Sequence, residues 1–131
     1  MNAPVEPSGE TLAELERIAG SPEDGPCLML NLHRYREREA YYRYGAVAAR
    51  VLERVGGRVA WYAQAEGLVI GDAGDAYDEA IAAWYPSLAA FLELARDPEI
   101  QTVRADREAG LERATLIRFQ GGAEPRLPPS G

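Results

Sequence analysis

Apolar residues alternate with polar or small ones along four short stretches of the chain, a pattern that indicates β-strands with two distinct faces. The first stretch, residues 27–35, follows Gly25-Pro26 and places His33 on the same face as Asn31 and Tyr35. The others are residues 58–65, 77–85 and 114–119. In the second stretch, strict alternation puts Val59 and Trp61 opposite Ala60 and Tyr62.

Between these strands, apolar residues recur every three or four positions and predict helices. Residues 37–55 form the longest, with one buried stripe that ends at Gly56-Gly57. Ser87 is a predicted N-cap for a second helix, and Asp97-Pro98 starts a further helical segment that Ala109-Gly110 closes. Thr11 with Glu14 resembles a capping box, so a short extra helix precedes the first strand.

The predicted order after this extra helix is β-α-β-β-α-β. This is an α+β, ferredoxin-like arrangement: a four-stranded antiparallel sheet with its helices on one face. The third strand is apolar on both faces, and two helices cannot cover both, so we predict a homodimer that closes a dimeric α/β barrel. We expect residues 1–25 to be an N-terminal extension, 26–120 the domain, and 121–131 a disordered tail.

The composition of the chain argues against nucleic-acid binding, a membrane span and secretion. The 131 residues are 47% hydrophobic and 27% charged, and the net charge of −7 offers no coherent basic face for nucleic acid. No apolar run reaches the roughly 20 residues of a membrane span, and no secretion signal is visible. The single Cys27 cannot form an internal disulfide, which favours the cytoplasm.

Six short motifs, taken in order, resemble those of a known protein family. They are Leu30-Asn31-Leu32, residues 41–45 (YYRYG), Gly56-Gly57, Trp84-Tyr85-Pro86-Ser87, Asp97-Pro98-Glu99 with Gln101, and residues 107–111 (REAGL). In this order they resemble a family of short bacterial proteins known only as a domain of unknown function, within the dimeric α/β-barrel superfamily. The resemblance implies a ferredoxin-like homodimer. It also implies relatives that include cofactor-free monooxygenases, lactone isomerases, polyketide cyclases and haem-degrading enzymes, with ligands between sheet and helices.

Three groups of residues are candidates for catalysis or substrate binding. His33, the only histidine, is a candidate general base beside Asn31; the alternative is a histidine bonded to backbone or solvent. Tyr41 and Tyr44 could direct their hydroxyls at a ligand, or fill the core. Asp106 and Arg107 could orient a carboxylate-bearing substrate, or form a structural salt bridge.

Aromatic and acidic residues suggest further sites. Trp61 and Trp84 could form an aromatic wall for a flat ligand, although large aromatics on strands commonly fill a core or an interface. The acidic run Asp72, Asp75, Asp78 and Glu79 lacks calcium-loop spacing, and we interpret it as a solvated hairpin loop. No phosphate loop, zinc pattern or dinucleotide fingerprint is present, so we predict neither a metal nor a cofactor.

The sequence therefore supports two functions. The first is a cofactor-independent enzyme of monooxygenase, isomerase or cyclase type, acting on a small aromatic or polyketide-like compound in a pocket between sheet and helices. The second is a non-catalytic homodimeric module that binds a ligand or a protein. A pocket of about 300 Å3 or more lined by His33, Tyr44 and Trp61 would favour the enzyme.

Overall fold

The computed structural model describes residues 5–121 and contains one four-stranded antiparallel sheet. Its strands lie side by side in the order β2-β3-β1-β4, which is the ferredoxin-like arrangement that the sequence predicts. The central pair is β1 and β3, so residues on these strands are the most deeply enclosed. The strands are β1 (Cys27–Tyr35), β2 (Arg58–Gln64), β3 (Glu79–Tyr85) and β4 (Leu111–Gln120).

The core lies between one face of the sheet and the helices. Met29 and Cys27 of β1 and Tyr85 of β3 pack with Val51 and Leu88 from two of the helices. The predicted helical segment that starts at Asp97-Pro98 is divided at Val103 into two short helices. The helices are α1 (Gly9–Ile18), α2 (Arg38–Arg54), α3 (Leu88–Ala95), α4 (Pro98–Thr102) and α5 (Arg104–Gly110).

Hydrogen-bonded register fixes which side chains share the inner face. In the β1–β3 pair, His33 lies opposite Glu79 and Asn31 opposite Ile81, all on the helix side. The alternate positions form the outer face of the sheet, which no helix of the described chain covers. We define this outer face by its large apolar residues, Leu28, Leu30, Leu32, Trp61, Trp84, Ile117 and Phe119.

The predicted alternation within the second strand is wrong. Val59 pairs with Ala83, whereas Trp61 pairs with the next residue, Ala82, so the register shifts between Val59 and Trp61. This irregularity is a β-bulge, in which one extra residue bends the strand. Val59 consequently lies on the helix side and Trp61 on the outer face.

The N-terminal extension is attached to α3 through Asp24. Its carboxylate accepts hydrogen bonds from the backbone N–H groups of Leu88 and Ala89, at 2.7 and 3.1 Å, and of Gly20, at 2.9 Å. The predicted capping box at Thr11 is wrong, because Ser8 is the N-cap of α1 and accepts from the Thr11 N–H.

The predicted N-caps of the later helices are confirmed. Ser87 accepts a hydrogen bond from the Ala90 N–H at the start of α3. Asp97 accepts one from the Glu99 N–H at the start of α4, with Pro98 in the first turn. The predicted disordered tail lies outside the described residues, apart from Gly121.

Candidate functional site

A buried histidine and a buried carboxylate join the two central strands. The Nδ1 of His33 lies 2.8 Å from Oε2 of Glu79, and the two side chains are 3% and 2% exposed. The other carboxylate oxygen, Oε1, accepts a hydrogen bond from the Tyr35 hydroxyl. Burial opposes ionisation of this carboxyl, but the hydrogen bonds from His33 and Tyr35 outweigh it and lower the pKa of Glu79.

This pairing determines the chemistry of the imidazole. An ionised carboxylate can only accept hydrogen bonds, so Nδ1 carries the proton that Glu79 binds. Between residues 5 and 121 no residue hydrogen-bonds Nε2, so this nitrogen is available to a bound molecule. A histidine held in this tautomer by a buried carboxylate is suited to act as a general base.

The sequence interpretation of Glu79 is therefore wrong. The sequence interpretation groups it with Asp72, Asp75 and Asp78 as a solvated residue, whereas it lies at the start of β3 and is buried. One signal in the sequence could have identified it: Glu79 lies two positions before Ile81, in step with the apolar residues of the inner face. Recognising its partner also requires the β1–β3 register.

Two tyrosines of α2 continue the wall beside His33. The Tyr41 ring centroid is 4.8 Å from that of His33, and Tyr44 is 5.8 Å from Tyr41. Burial raises the pKa of both phenols, so they stay protonated and can donate hydrogen bonds. Gly110 permits this arrangement, because a Cβ there would lie 2.5 Å from the Tyr41 backbone nitrogen.

Two of the cavities between sheet and helices in the described chain adjoin each other at Tyr41 and Tyr44. The first, of about 160 Å3, is lined by Asn31, His33, Tyr41, Tyr44 and Arg107 among others. We call it the His33 cavity. The second cavity, of about 320 Å3, shares Asn31, Tyr41 and Tyr44 with the His33 cavity. It also contacts Glu79, the carboxylate that pairs with His33. The paired side chains thus face different cavities across a common wall.

Asn31 and Arg107 contribute polar groups to the His33 cavity. The Asn31 amide donates to the carbonyl oxygens of Met29 and Ile81, both at 3.2 Å. The Arg107 guanidinium carbon lies 5.8 Å from the Tyr44 ring centroid. Four residues proposed from the sequence are therefore brought together with His33: Asn31, Tyr41, Tyr44 and Arg107.

Three other candidates lie elsewhere. Asp106 does not pair with Arg107; its carboxylate is 3.1 Å from the guanidinium of Arg43 on α2. Trp61 and Trp84 lie on the outer face, so the sheet separates both indoles from His33. The His33 cavity is consequently lined by tyrosines rather than by an indole wall.

The described residues contain neither a metal-binding cluster nor a membrane-spanning helix. Between residues 5 and 121, no three His, Cys, Asp or Glu side chains come close enough together to hold a metal ion. Within the same range, no helix is both long and apolar enough to cross a membrane.

Comparison with known proteins identifies similar chains. A family model described as "Domain of unknown function (DUF1330)" matches residues 28–120. RPA0582, a protein of unknown function from Rhodopseudomonas palustris, is 35% identical, with a TM-score of 0.82 over 94% of this chain and 99% of that one. No curated protein matches the chain.

More distant structures share the fold. A DABB family protein with a ferredoxin-like fold from Mesorhizobium loti MAFF303099 is 14% identical, with a TM-score of 0.53 over 74% of this chain and 97% of that one. The hydroxynitrile lyase from Passiflora edulis is 13% identical, with a TM-score of 0.56 over 72% and 92%. At these identities the similarity concerns the fold alone.

Proposed function

The chain belongs to the DUF1330 family, whose function is unknown, and we propose that it is a cofactor-independent enzyme that removes a proton from a small aromatic or polyketide-like compound. His33 is the general base of this proposal. The observation that carries it is the buried His33–Glu79 pair, 2.8 Å apart, on the wall of a cavity between sheet and helices.

The surroundings of His33 support proton transfer. When Nε2 takes a proton from a bound substrate, the imidazole becomes positively charged, and the Glu79 carboxylate stabilises that charge in a poorly solvated place. The hydroxyls of Tyr41 and Tyr44 are donors for the oxyanion that forms on the substrate. Removal of a proton from the carbon next to a carbonyl, or from a phenol hydroxyl, is the first step of isomerisation and of cyclisation. It also gives an electron-rich anion that can react with molecular oxygen.

The fold is compatible with an enzyme active site, since the Passiflora edulis protein of the same fold is a hydroxynitrile lyase. That similarity supplies no residue roles for this chain. The proposed roles therefore rest on the contacts of His33, Glu79, Tyr41 and Tyr44 alone.

Exchange of substrate protons with solvent tests this proposal. The purified chain, freed of any histidine tag, is incubated in D2O with a panel of aromatic ketones and 1,3-dicarbonyl compounds, and loss of the acidic C–H signal is followed by 1H NMR. We expect His33→Asn to slow exchange by about 100-fold or more, the usual contribution of a general base. Asn keeps a donor for Glu79 but has no basic nitrogen.

A surface variant, purified in the same way, is the control for substitution and sample preparation. Glu16→Gln alters a residue whose carboxylate pairs with Arg96 at the surface, and it should exchange at the wild-type rate. Equal exchange rates in wild type and His33→Asn would refute the role of His33. Absence of exchange with the whole panel would favour the binding module instead.

The same proposal includes a homodimer joined through the outer face. Trp61, Ile117 and Phe119 are exposed there, and a monomer rarely leaves such a continuous apolar surface in water. A second copy placed against it would bury both outer faces around a two-fold axis. Light scattering at micromolar concentration should give about twice the chain mass of 14.3 kDa, and a monomer mass would contradict the dimer.

A non-catalytic homodimeric module that binds a ligand or a protein remains the second candidate. Two observations favour it. The His33 cavity is smaller than the roughly 300 Å3 at which ligand pockets begin. In the loop between β2 and β3, Val69 and Ile70 are 94% and 90% exposed, which is typical of an apolar contact for another protein.

A further inference from the structure

A carboxylate of the chain itself binds two arginines of α5. Oε1 of Glu6 lies 3.0 Å from Nη1 of Arg107, and Oε2 lies 3.8 Å from Nη2 of Arg104. Arg107 Nη1 also donates to the carbonyl oxygen of Val5 at 2.5 Å. The Arg107 side chain is only 15% exposed, so its charge is largely withdrawn from water and needs an anionic partner.

The segment that carries Glu6 lies between two cavities. We call residues 5–7 the strap. Glu6 and Pro7 line the His33 cavity and also a larger one, of about 590 Å3, that extends beneath α1. Both cavities share Arg107 and Leu116. Displacement of the strap would therefore connect the small cavity at His33 with a space large enough for an aromatic ligand.

We propose that Arg104 and Arg107 form the subsite for the carboxylate of an aromatic acid substrate, and that Glu6 occupies this subsite until the substrate displaces it. This inference rests on the proposed function, because it names the substrate class of the same site. The Glu6 carboxylate marks where the substrate carboxylate binds, since the two groups are chemically the same.

The aromatic wall connects this subsite to the proposed base. The Arg107 guanidinium lies 5.8 Å from the Tyr44 ring; Tyr44 is 5.8 Å from Tyr41, and Tyr41 is 4.8 Å from His33. A substrate whose carboxylate binds Arg107 can therefore lay its ring along the two tyrosines, with its reactive carbon toward His33. The arginines position the substrate and leave proton transfer to the imidazole.

Displacement of Glu6 is feasible because the incoming carboxylate replaces it as the partner of Arg107, while its second ion pair, with Arg104, is weak. The Glu6 and Arg104 side chains are both partly in water, where ion pairs contribute little to stability. A free carboxylate can form two parallel hydrogen bonds to a guanidinium, and it is not restrained by a chain. The strap would act as a competitor that selects for acids and keeps neutral molecules out.

Binding of a probe acid tests this subsite without turnover. Benzoate and its neutral analogue benzamide are titrated into the full chain, with calorimetry for affinity and the NMR signals of the single histidine for location. We expect the wild type to bind benzoate at least about tenfold more tightly than benzamide. Glu6→Gln should tighten benzoate about five- to tenfold, because the competing state is removed.

Two further variants complete the test. Arg107→Gln should abolish the preference for benzoate, and Arg104→Gln, at an exposed position, should reduce it without endangering the fold. Glu16→Gln removes an equal charge at the surface and should match the wild type. Equal benzoate affinity in wild type and Glu6→Gln, or equal affinity of wild type for the two probes, would overturn the inference.

The outcome separates the two proposals. If Glu6→Gln tightens benzoate but no compound exchanges protons, the subsite stands and the enzyme proposal fails. If His33→Asn slows exchange but Glu6→Gln leaves benzoate affinity unchanged, the enzyme stands and the subsite fails.

Discussion

Replacement of Glu79 by Gln is the sharpest test of the buried pair. The wild-type carboxylate accepts a hydrogen bond from His33 Nδ1 at 2.8 Å and another from the Tyr35 hydroxyl. Gln has the same shape but no charge and only one acceptor oxygen. That oxygen can accept from His33, while the amide NH2 must donate to the Tyr35 hydroxyl oxygen, so both bonds change from charge-assisted to neutral and one reverses direction. The difference between the two kinds is about 1 kcal/mol for each bond, and we therefore expect a loss of about 2 kcal/mol in the free energy of unfolding at pH 7.

The pH dependence gives a second, independent magnitude. The pKa of Glu79 is lower in the folded chain than its ordinary value of 4.5. A carboxyl of this kind contributes stability that is fully present above its unfolded pKa and is lost as the pH falls through its folded pKa. The stability difference between wild type and Glu79→Gln should thus shrink as the pH falls below about 4.5.

Urea unfolding followed by circular dichroism measures both quantities. All samples need the same protein concentration, because the stability of a dimer depends on it. Glu16→Gln, which changes a surface carboxylate, should lie within about 0.5 kcal/mol of the wild type. A Glu79→Gln loss below about 0.5 kcal/mol, or a difference that does not change between pH 7 and pH 3, would refute the reasoning from a buried, ionised carboxylate.

Four further outcomes are expected. Tyr35→Phe removes one donor to the buried carboxylate and should cost about 1–2 kcal/mol in urea unfolding, with retained m-value. Gly110→Ala places a Cβ against the α2 backbone and should cost about 1–3 kcal/mol by thermal melting, whereas Gly45→Ala, with open space in α2, should stabilise by about 0.5–1 kcal/mol. Ile117→Glu on the outer face should halve the mass found by light scattering. Asp24→Ala should lower the melting temperature more at pH 7 than at pH 3. Burial opposes ionisation of the Asp24 carboxyl, but its backbone hydrogen bonds outweigh burial and lower its pKa, so its stabilising effect is lost as the carboxyl is protonated at low pH.

Much of the fold follows from local patterns in the sequence. The two-residue alternation in β1 places His33 with Asn31 and Tyr35, and the structure has these residues on one face. The N-caps Ser87 and Asp97 mark helix starts because their side-chain oxygens can bind the first free N–H groups. Such signals lie within a few residues of the feature they predict, and this is why they could be recognised.

The features that remained hidden depend on long-range register. Glu79 lies 46 positions from His33, and only the pairing of β3 with β1 brings them to 2.8 Å. The bulge between Val59 and Trp61 changes the face that Trp61 occupies, and no residue type in this part of the sequence indicates a bulge. Glu6 meets Arg107 from the other end of the chain. Contacts of this kind are properties of the assembled fold.

Both tryptophans of the chain lie on the outer face, and its only histidine lies behind the sheet in the cavity. An unlabelled sample therefore carries two separate reporters. Indole emission would respond to the proposed association of two copies, and the imidazole NMR signals would respond to a molecule bound near His33. Both can be recorded along the same titration series. An aromatic acid that binds near His33 could shift the protein concentration at which half of the chains are associated. The size of that shift would measure the coupling free energy between assembly and ligand binding.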